Sequence, residues 1–225
     1  MTKRHLYMIL LALIASISAR AIPYCDIRKF SISDGLAANS ISDMKQASDK
    51  LMWFSTWNGL SYYDGYGFHT FRDEPDNISI LSTNRIMSIE TTTQNNVWCI
   101  TSDRKLYIYD THTCEFIQYG DEINKKFGID LRARDIYPIK NGNTWVSCDN
   151  ANYLIRARGT SIDDQTPEVI HVGEQGLRSG KVWFIWGDKK GREWILTDKG
   201  TTIYNHHFST PIPFKWVREV GESIF

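Results

Sequence analysis

Six residues set in short polar turns carry side chains suited to holding a sugar: Trp57, Asn58, Arg104, Asp149, Asn150 and Lys199. An indole stacks on the apolar face of a sugar ring, and amide, carboxylate, guanidinium and ammonium groups hydrogen-bond its hydroxyls. The same residues also suit plain turn geometry, Asn58 and Asn150 closing the backbone while Arg104 and Lys199 solvate it. Covalent chemistry finds less support. No G-x-S-x-G, H-E-x-x-H or phosphate-binding glycine loop occurs, so nucleophilic, zinc and nucleotide chemistries lack their motifs, and no catalytic residue, metal ligand or cofactor is assigned. Glycoside cleavage would need two carboxylates a fixed distance apart, and spacing singles out no such pair. The paired histidines, His206 and His207, are adjacent, and strand neighbours point to opposite faces, so they do not grip one metal. Four cysteines, Cys25, Cys99, Cys114 and Cys148, form no C-x-x-C and could pair in three ways. Asn77-Ile78-Ser79 is a formal glycosylation sequon that reads equally as an ordinary loop.

The compartment follows from the first twenty-one residues. Lys3 and Arg4 precede an apolar run from Leu6 to Ile17, closed by Ala19-Arg20-Ala21, the three-part form of a secretory signal peptide. Spanning a bilayer takes roughly 20 apolar residues, so a retained anchor is the weaker alternative and the mature chain is expected to begin near Ile22, in the periplasm. Pro23 and Tyr24 before Cys25 are not the small residues of a lipoprotein signal. The whole chain balances 26 basic against 26 acidic residues, so no basic field exists to attract nucleic acid. No second apolar stretch reaches spanning length. Composition is 42% hydrophobic and 13% aromatic, which suits half-buried pleated surfaces and an all-β fold.

An internal repeat sets the architecture. Trp53, Trp98, Trp145 and Trp194 are separated by 45, 47 and 49 residues. Twelve and nine residues before each stand Ile41 and Met44, Ile86 and Ile89, Ala133 and Ile136, Val182 and Ile185. Seventeen before stand Leu36, Leu81 and Leu177, with Gly128 departing in the third unit, and three after stand Thr56, Thr101, Cys148 and Thr197. Turn signals divide each unit into four short strands, Asn58-Gly59 being read as the centre of a type I′ hairpin turn. The second strand of each unit is apolar on consecutive positions, which implies cover on both faces. Trp183 and Trp186, three apart in a first strand, are expected to face opposite ways, with at least one in the core. A two-sheet sandwich or closed barrel would leave most strands one polar face. The expectation is therefore a β-propeller-like array of about four four-stranded blades, an incomplete propeller, with units near 27–75, 76–120, 121–172 and 173–214 and a further blade starting over 215–225. An open last blade would leave an apolar face and an unpaired edge.

The first unit, Asp34-Gly35-Leu36-Ala37-Ala38-Asn39-Ser40-Ile41 with Met52 to Gly65, resembles the two-component regulator propeller repeat: G-L-S-x-N-x-I, a Trp strand ending in Thr, x-G-L and an aromatic-Asp-Gly. The likeness is good in units two and four, poor in unit three, and covers about residues 27 to 214. It implies the periplasmic sensor region of a bacterial hybrid two-component system, non-catalytic and responsive to glycan breakdown products. The kinase, receiver and DNA-binding parts of that family match no residue of this chain. Partners implied are an oligosaccharide and, along an open blade edge, a homodimer or further blades. A sialidase- or lyase-like propeller enzyme and a structural interaction module are the alternatives. Gly142-Asn143-Thr144-Trp145 is similar to the tail of the sialidase Asp-box, but Pro138 and Lys140 stand where its Ser and Asp belong.

Overall fold

A computed structural model of the chain describes residues 4–5, 7, 26–72, 81–92, 96–139, 142–148, 153–158, 168–171, 177, 181–204 and 211–212. The signal segment, Cys25, the sequon at Asn77, His206 and His207, and the segment 215–225 lie wholly or mainly outside these residues.

Four four-stranded antiparallel sheets follow one another along the chain. The first holds β1 (Ile41–Gln46), β2 (Met52–Thr56), β3 (Gly59–Tyr63) and β4 (Phe68–Phe71). The second holds β5 (Ile86–Thr91), β6 (Val97–Thr101), β7 (Leu106–Asp110) and β8 (Glu115–Ile117). β9 (Ala133–Pro138), β10 (Asn143–Cys148), β11 (Tyr153–Arg158) and β12 (Glu168–His171) form the third, and β13 (Val182–Gly187), β14 (Glu193–Thr197), β15 (Gly200–Tyr204) and β16 (Pro211–Ile212) the fourth. Strands pair in chain order within every sheet. Successive first strands also meet, β1 with β5, β5 with β9 and β9 with β13, so the sheets stand around a common axis lined by their first strands. This is the all-β propeller-like array expected from the repeat.

Each sheet lays one face on its successor, and three apolar cores fill the gaps. Trp53 and Leu60 meet Ile86, Ile89, Val97 and Cys99 in the first. Trp98, Ile100 and Leu106 meet Ala133, Ile136 and Val146 in the second, and Trp145 meets Val182, Ile185 and Ile195 in the third. The three repeat tryptophans are at most 1% exposed, and truncating a side chain of this size in a core costs roughly 3–5 kcal/mol. β6 and β10, covered on both sides, are buried at every position, whereas β2 and β14 in the outer sheets alternate. Ile41 and Met44, in the columns that are buried as Ile86 and Ile89, are 47% and 53% exposed because no sheet lies against that face among the described residues.

Residues twelve and nine before each Trp are three apart, which in a regular strand would place them on opposite faces. A β-bulge in all four first strands resolves this. Register shifts between Ile41 and Asp43, Ile86 and Ser88, and Val182 and Phe184, and opposite Ala133 and Asp135, leaving Ser42, Met87, Arg134 and Trp183 as extra residues. Both apolar columns then face the same core. The bulge also overturns the expectation for Trp183 and Trp186. Trp183 is the extra residue, Trp186 lies opposite Trp194 on the face of the fourth sheet turned away from the third, and they are 61% and 51% exposed.

Two further expectations are corrected. The Asn58-Gly59 pair is not a type I′ centre: the two-residue loop is Trp57-Asn58, with Gly59 paired to Thr56 as the first residue of β3. Only Gly59 has positive φ, +126°, and a Cβ there would lie 2.5 Å from the Phe71 carbonyl oxygen. The connection from the second to the third sheet contains a helix, α1 (Tyr119–Phe127), where only strands and turns are expected. Tyr119 and Ile123 enter the second core, and Gly128 closes the helix at φ +70°, a left-handed cap that a glycine adopts readily. The missing leucine of unit three is thus a helix cap.

Candidate functional site

The turns joining second to third strands share one rim with the loops that connect sheets. A threonine three residues after the repeat Trp builds each well-formed turn. Thr56 Oγ1 donates to the Gly59 carbonyl (2.8 Å) and accepts the Asn58 N–H (3.1 Å). Thr197 does the same with Gly200 (3.0 Å) and Lys199 (3.2 Å). Backbone bonds then tie turns to loops: Trp57 N–H to the Ser40 carbonyl (3.3 Å), Ser102 N–H to that of Arg85 (2.9 Å) and Asp198 N–H to that of Lys181 (3.1 Å).

Of the six residues singled out by sequence, Trp57, Asn58, Arg104 and Lys199 stand on this rim, and Asp149 and Asn150 lie outside the described residues. They do not converge on one hollow. Trp57 is 57% exposed, with the Arg85 guanidinium 4.2 Å above its ring. Asn58 and Lys199 have their backbone role in the turns. Arg104 alone reaches a larger cavity, and it does so from a left-handed backbone, φ +69°, while its carbonyl accepts the Ala133 N–H at 2.9 Å. A non-glycine residue held there stores on the order of 1 kcal/mol of strain.

That cavity, about 370 Å³, opens at the axis where the bulges of β5, β9 and β13 meet the β6–β7 turn. Met87 and Ser88, Arg134 and Asp135, and Lys181 to Trp183 line it from three successive first strands, with Arg104 beside them. The Arg134 Nε donates to Asp135 Oδ2 at 2.8 Å and its Nη2 to the Val182 carbonyl at 2.6 Å, which holds the guanidinium across the seam between the third and fourth sheets. Lys181 has its ammonium 5.6 Å from the centre of the Trp183 ring. Among the described residues that line it, three cationic groups thus stand with one carboxylate, Asp135, which is already ion-paired. Arg104 also borders a smaller hollow of about 170 Å³ against α1, near Asp103 and Asp121. Burial raises the Asp103 carboxyl, but hydrogen bonds from Thr101 and Ser82 outweigh it and leave the group below its ordinary range.

Sequence reasoning found Arg104 and passed over Arg134, Asp135, Lys181 and Trp183. The signal available was the bulge itself. Once the three-residue spacing is read as an extra residue, the position eleven before each Trp turns toward the axis, and the one thirteen before reads Ser40, Arg85, Arg132 and Lys181, cationic in three units of four.

No protein-family model and no curated protein sequence matches the chain. Solved structures do. The extracellular domain of a one-component-system protein from B. thetaiotaomicron aligns at 19% identity over 86% of this chain and 28% of its own, with a TM-score of 0.58. The extracellular domain of a hybrid two-component-system protein from B. thetaiotaomicron aligns at 19% over 82% of this chain and 31% of its own, TM-score 0.44. Virginiamycin B lyase from Staphylococcus aureus aligns at 12% over 78% and 56%, TM-score 0.53. The chain thus spans about a third or less of the two B. thetaiotaomicron domains. The extracellular domain of a one-component-system protein and a lyase share this architecture, so the likeness fixes fold and leaves function to the site. The chain is a propeller-type array of four-stranded sheets, the fold it shares with the one-component-system domain and the lyase.

Proposed function

We propose that this chain is a non-catalytic, ligand-receiving part of an extracytoplasmic sensor, of the kind that feeds a hybrid two-component system, and that its ligand is an oligosaccharide. The repeat motif in residues 34–65 supports the family, and the likeness in fold to the extracellular domain of the B. thetaiotaomicron one-component-system protein agrees with it. The export signal supports a periplasmic location, and no helix among the described residues is long and apolar enough to cross a membrane. Repeat units near 27–75, 76–120, 121–172 and 173–214 are part of the same proposal.

The observation that carries it is the axial cavity, where an exposed indole, Trp183, stands among hydrogen-bonding side chains drawn from three sheets. Aromatic faces beside fixed polar groups are what a sugar ring requires. Calorimetric titration of the folded protein with a panel of glycan fragments is expected to give saturable heats for at least one; silence across the panel refutes ligand sensing by this chain. Release of reducing sugar from any of those fragments, abolished by removal of a single carboxylate, would replace the sensor with an enzyme.

One observation favours an added interaction role. Phe184, Trp186 and Leu196 are 53%, 51% and 43% exposed on the face of the fourth sheet turned away from the third, a surface that further blades or a second copy would cover. Sedimentation velocity separates a monomer from a self-associating chain.

A further inference from the structure

We propose that the axial cavity selects an acidic sugar: the residue seated on Trp183 carries a carboxylate or a sulfate, which Lys181, Arg104 and Arg134 receive. The proposal rests on the oligosaccharide-sensor reading above and deepens it by naming the charge of the ligand. A neutral sugar needs hydrogen-bond donors and acceptors in comparable number, because each hydroxyl is both. This cavity is donor-rich. Its charged lining is three cations against Asp135, and Asp135 is occupied by Arg134. Arg134 spends two of its N–H groups, on Asp135 and on the Val182 carbonyl, and a guanidinium has five. The three left are held in a fixed plane by the two that are bound, and an anion with two oxygens in a plane fits such a fork.

Lys181 supplies the second argument. Its ammonium has no ion-pair partner among the described residues, although Asp198 lies close enough for Oδ1 to accept the Lys181 backbone N–H at 2.9 Å. It projects over the Trp183 ring instead. A sugar that stacks on the indole must meet or displace this ammonium, to which an acidic substituent is attracted while a hydroxyl gains little. Arg104 provides the third. Its left-handed backbone, φ +69°, is a conformation glycine adopts without strain. The backbone fixes where this arginine leaves its turn, and its side chain lines the cavity.

The test is titration calorimetry of the full chain with three probes, trigalacturonate, a 6-O-sulfated disaccharide and neutral maltotriose, plus inorganic sulfate. The acidic sugars are expected to bind at least tenfold more tightly than maltotriose, and to weaken severalfold between 50 and 300 mM salt as screening tightens. Carboxylate and sulfate are told apart by which of the two acidic probes binds. Lys181→Ala is expected to lose at least tenfold in affinity, with Lys181→Arg retaining most of it. Arg104→Gly is expected to lose binding by a similar factor while its Tm rises or stays level, so lost affinity is not lost fold. Equal or preferential binding of maltotriose, or undiminished affinity in both variants, overturns the acidic-sugar assignment and leaves oligosaccharide sensing standing. Silence of a folded sample toward all the sugars overturns both. Binding of inorganic sulfate as tight as that of the sulfated sugar overturns the role given to Trp183.

Discussion

Replacing Glu193 with valine tests how the sheets are coupled. Glu193 begins β14, is fully buried, and reaches back into the third sheet, where Oε1 accepts from Asn143 Nδ2 at 3.2 Å and Oε2 from the Trp145 indole N–H at 3.0 Å. Val97 fills the equivalent place in the second sheet, two sheets earlier, and there the Trp53 indole has no acceptor among the described residues. Glu193→Val therefore makes the third seam resemble the first while removing an acceptor from two buried donors. Each donor left without that bond costs about 1–3 kcal/mol. Against this stand release of a buried carboxylate from its desolvation penalty and burial of an isopropyl group, about 1.5 kcal/mol. The net expectation is a loss of about 1–3 kcal/mol, or roughly 2–12 °C in Tm for a chain of this size. Equilibrium urea unfolding followed by far-ultraviolet circular dichroism reads it. Repeating Glu193→Val in a Trp145→Phe background should recover about 1–2 kcal/mol of the loss as coupling. A change below about 0.5 kcal/mol, or a more stable variant, refutes the account of this seam.

Two further outcomes follow from particular groups. Burial raises the Asp188 carboxyl, but bonds from the Arg192 and Lys190 backbone N–H groups, the Trp194 indole and the Arg192 guanidinium outweigh it and bring it to about 2. An unfolded aspartate titrates near 3.9, so on acidification the unfolded chain takes up the proton first. The contribution of Asp188, on the order of 1–2 kcal/mol after screening, is complete above about pH 4 and lost as pH falls toward 2. Asp188→Asn should flatten the stability profile over that interval and leave its shape above pH 5 unchanged. Cys99, Cys114 and Cys148 form no disulfide, and Cys114 is exposed. Burial pushes the Cys99 thiol up to about 12, so iodoacetamide at pH 8 should modify Cys114 in the native protein and Cys99 only after unfolding.

The tryptophan columns carried the fold because each records one seam between sheets, and a residue pressed between two apolar faces tolerates few alternatives. The threonines behind Thr56 and Thr197 were visible for the same reason, since their hydroxyls close the rim turns. The bulge was present in the sequence as a three-residue spacing but hidden by the assumption of regular strand alternation, which sent Trp183 and Trp186 to the wrong side. α1 has no counterpart among the described residues of the other units, so comparing repeats showed a gap at Gly128 and not a helix. At the site, Arg104 was legible because it lies in a turn, where polar residues attract notice. Arg134 and Lys181 sit at strand starts, and only the arrangement of three sheets about the axis brings them to one cavity.

Hydrogen exchange measured with and without bound acidic oligosaccharide addresses most directly the claim that ligand is received at the axis, on the rim of the second-to-third-strand turns. Protection is predicted to rise in peptides covering residues 101–105, 132–136 and 181–184, with little change at the opposite turns around residues 48–50 and 188–191. Protection confined to those opposite turns, with the first set unchanged, would contradict it.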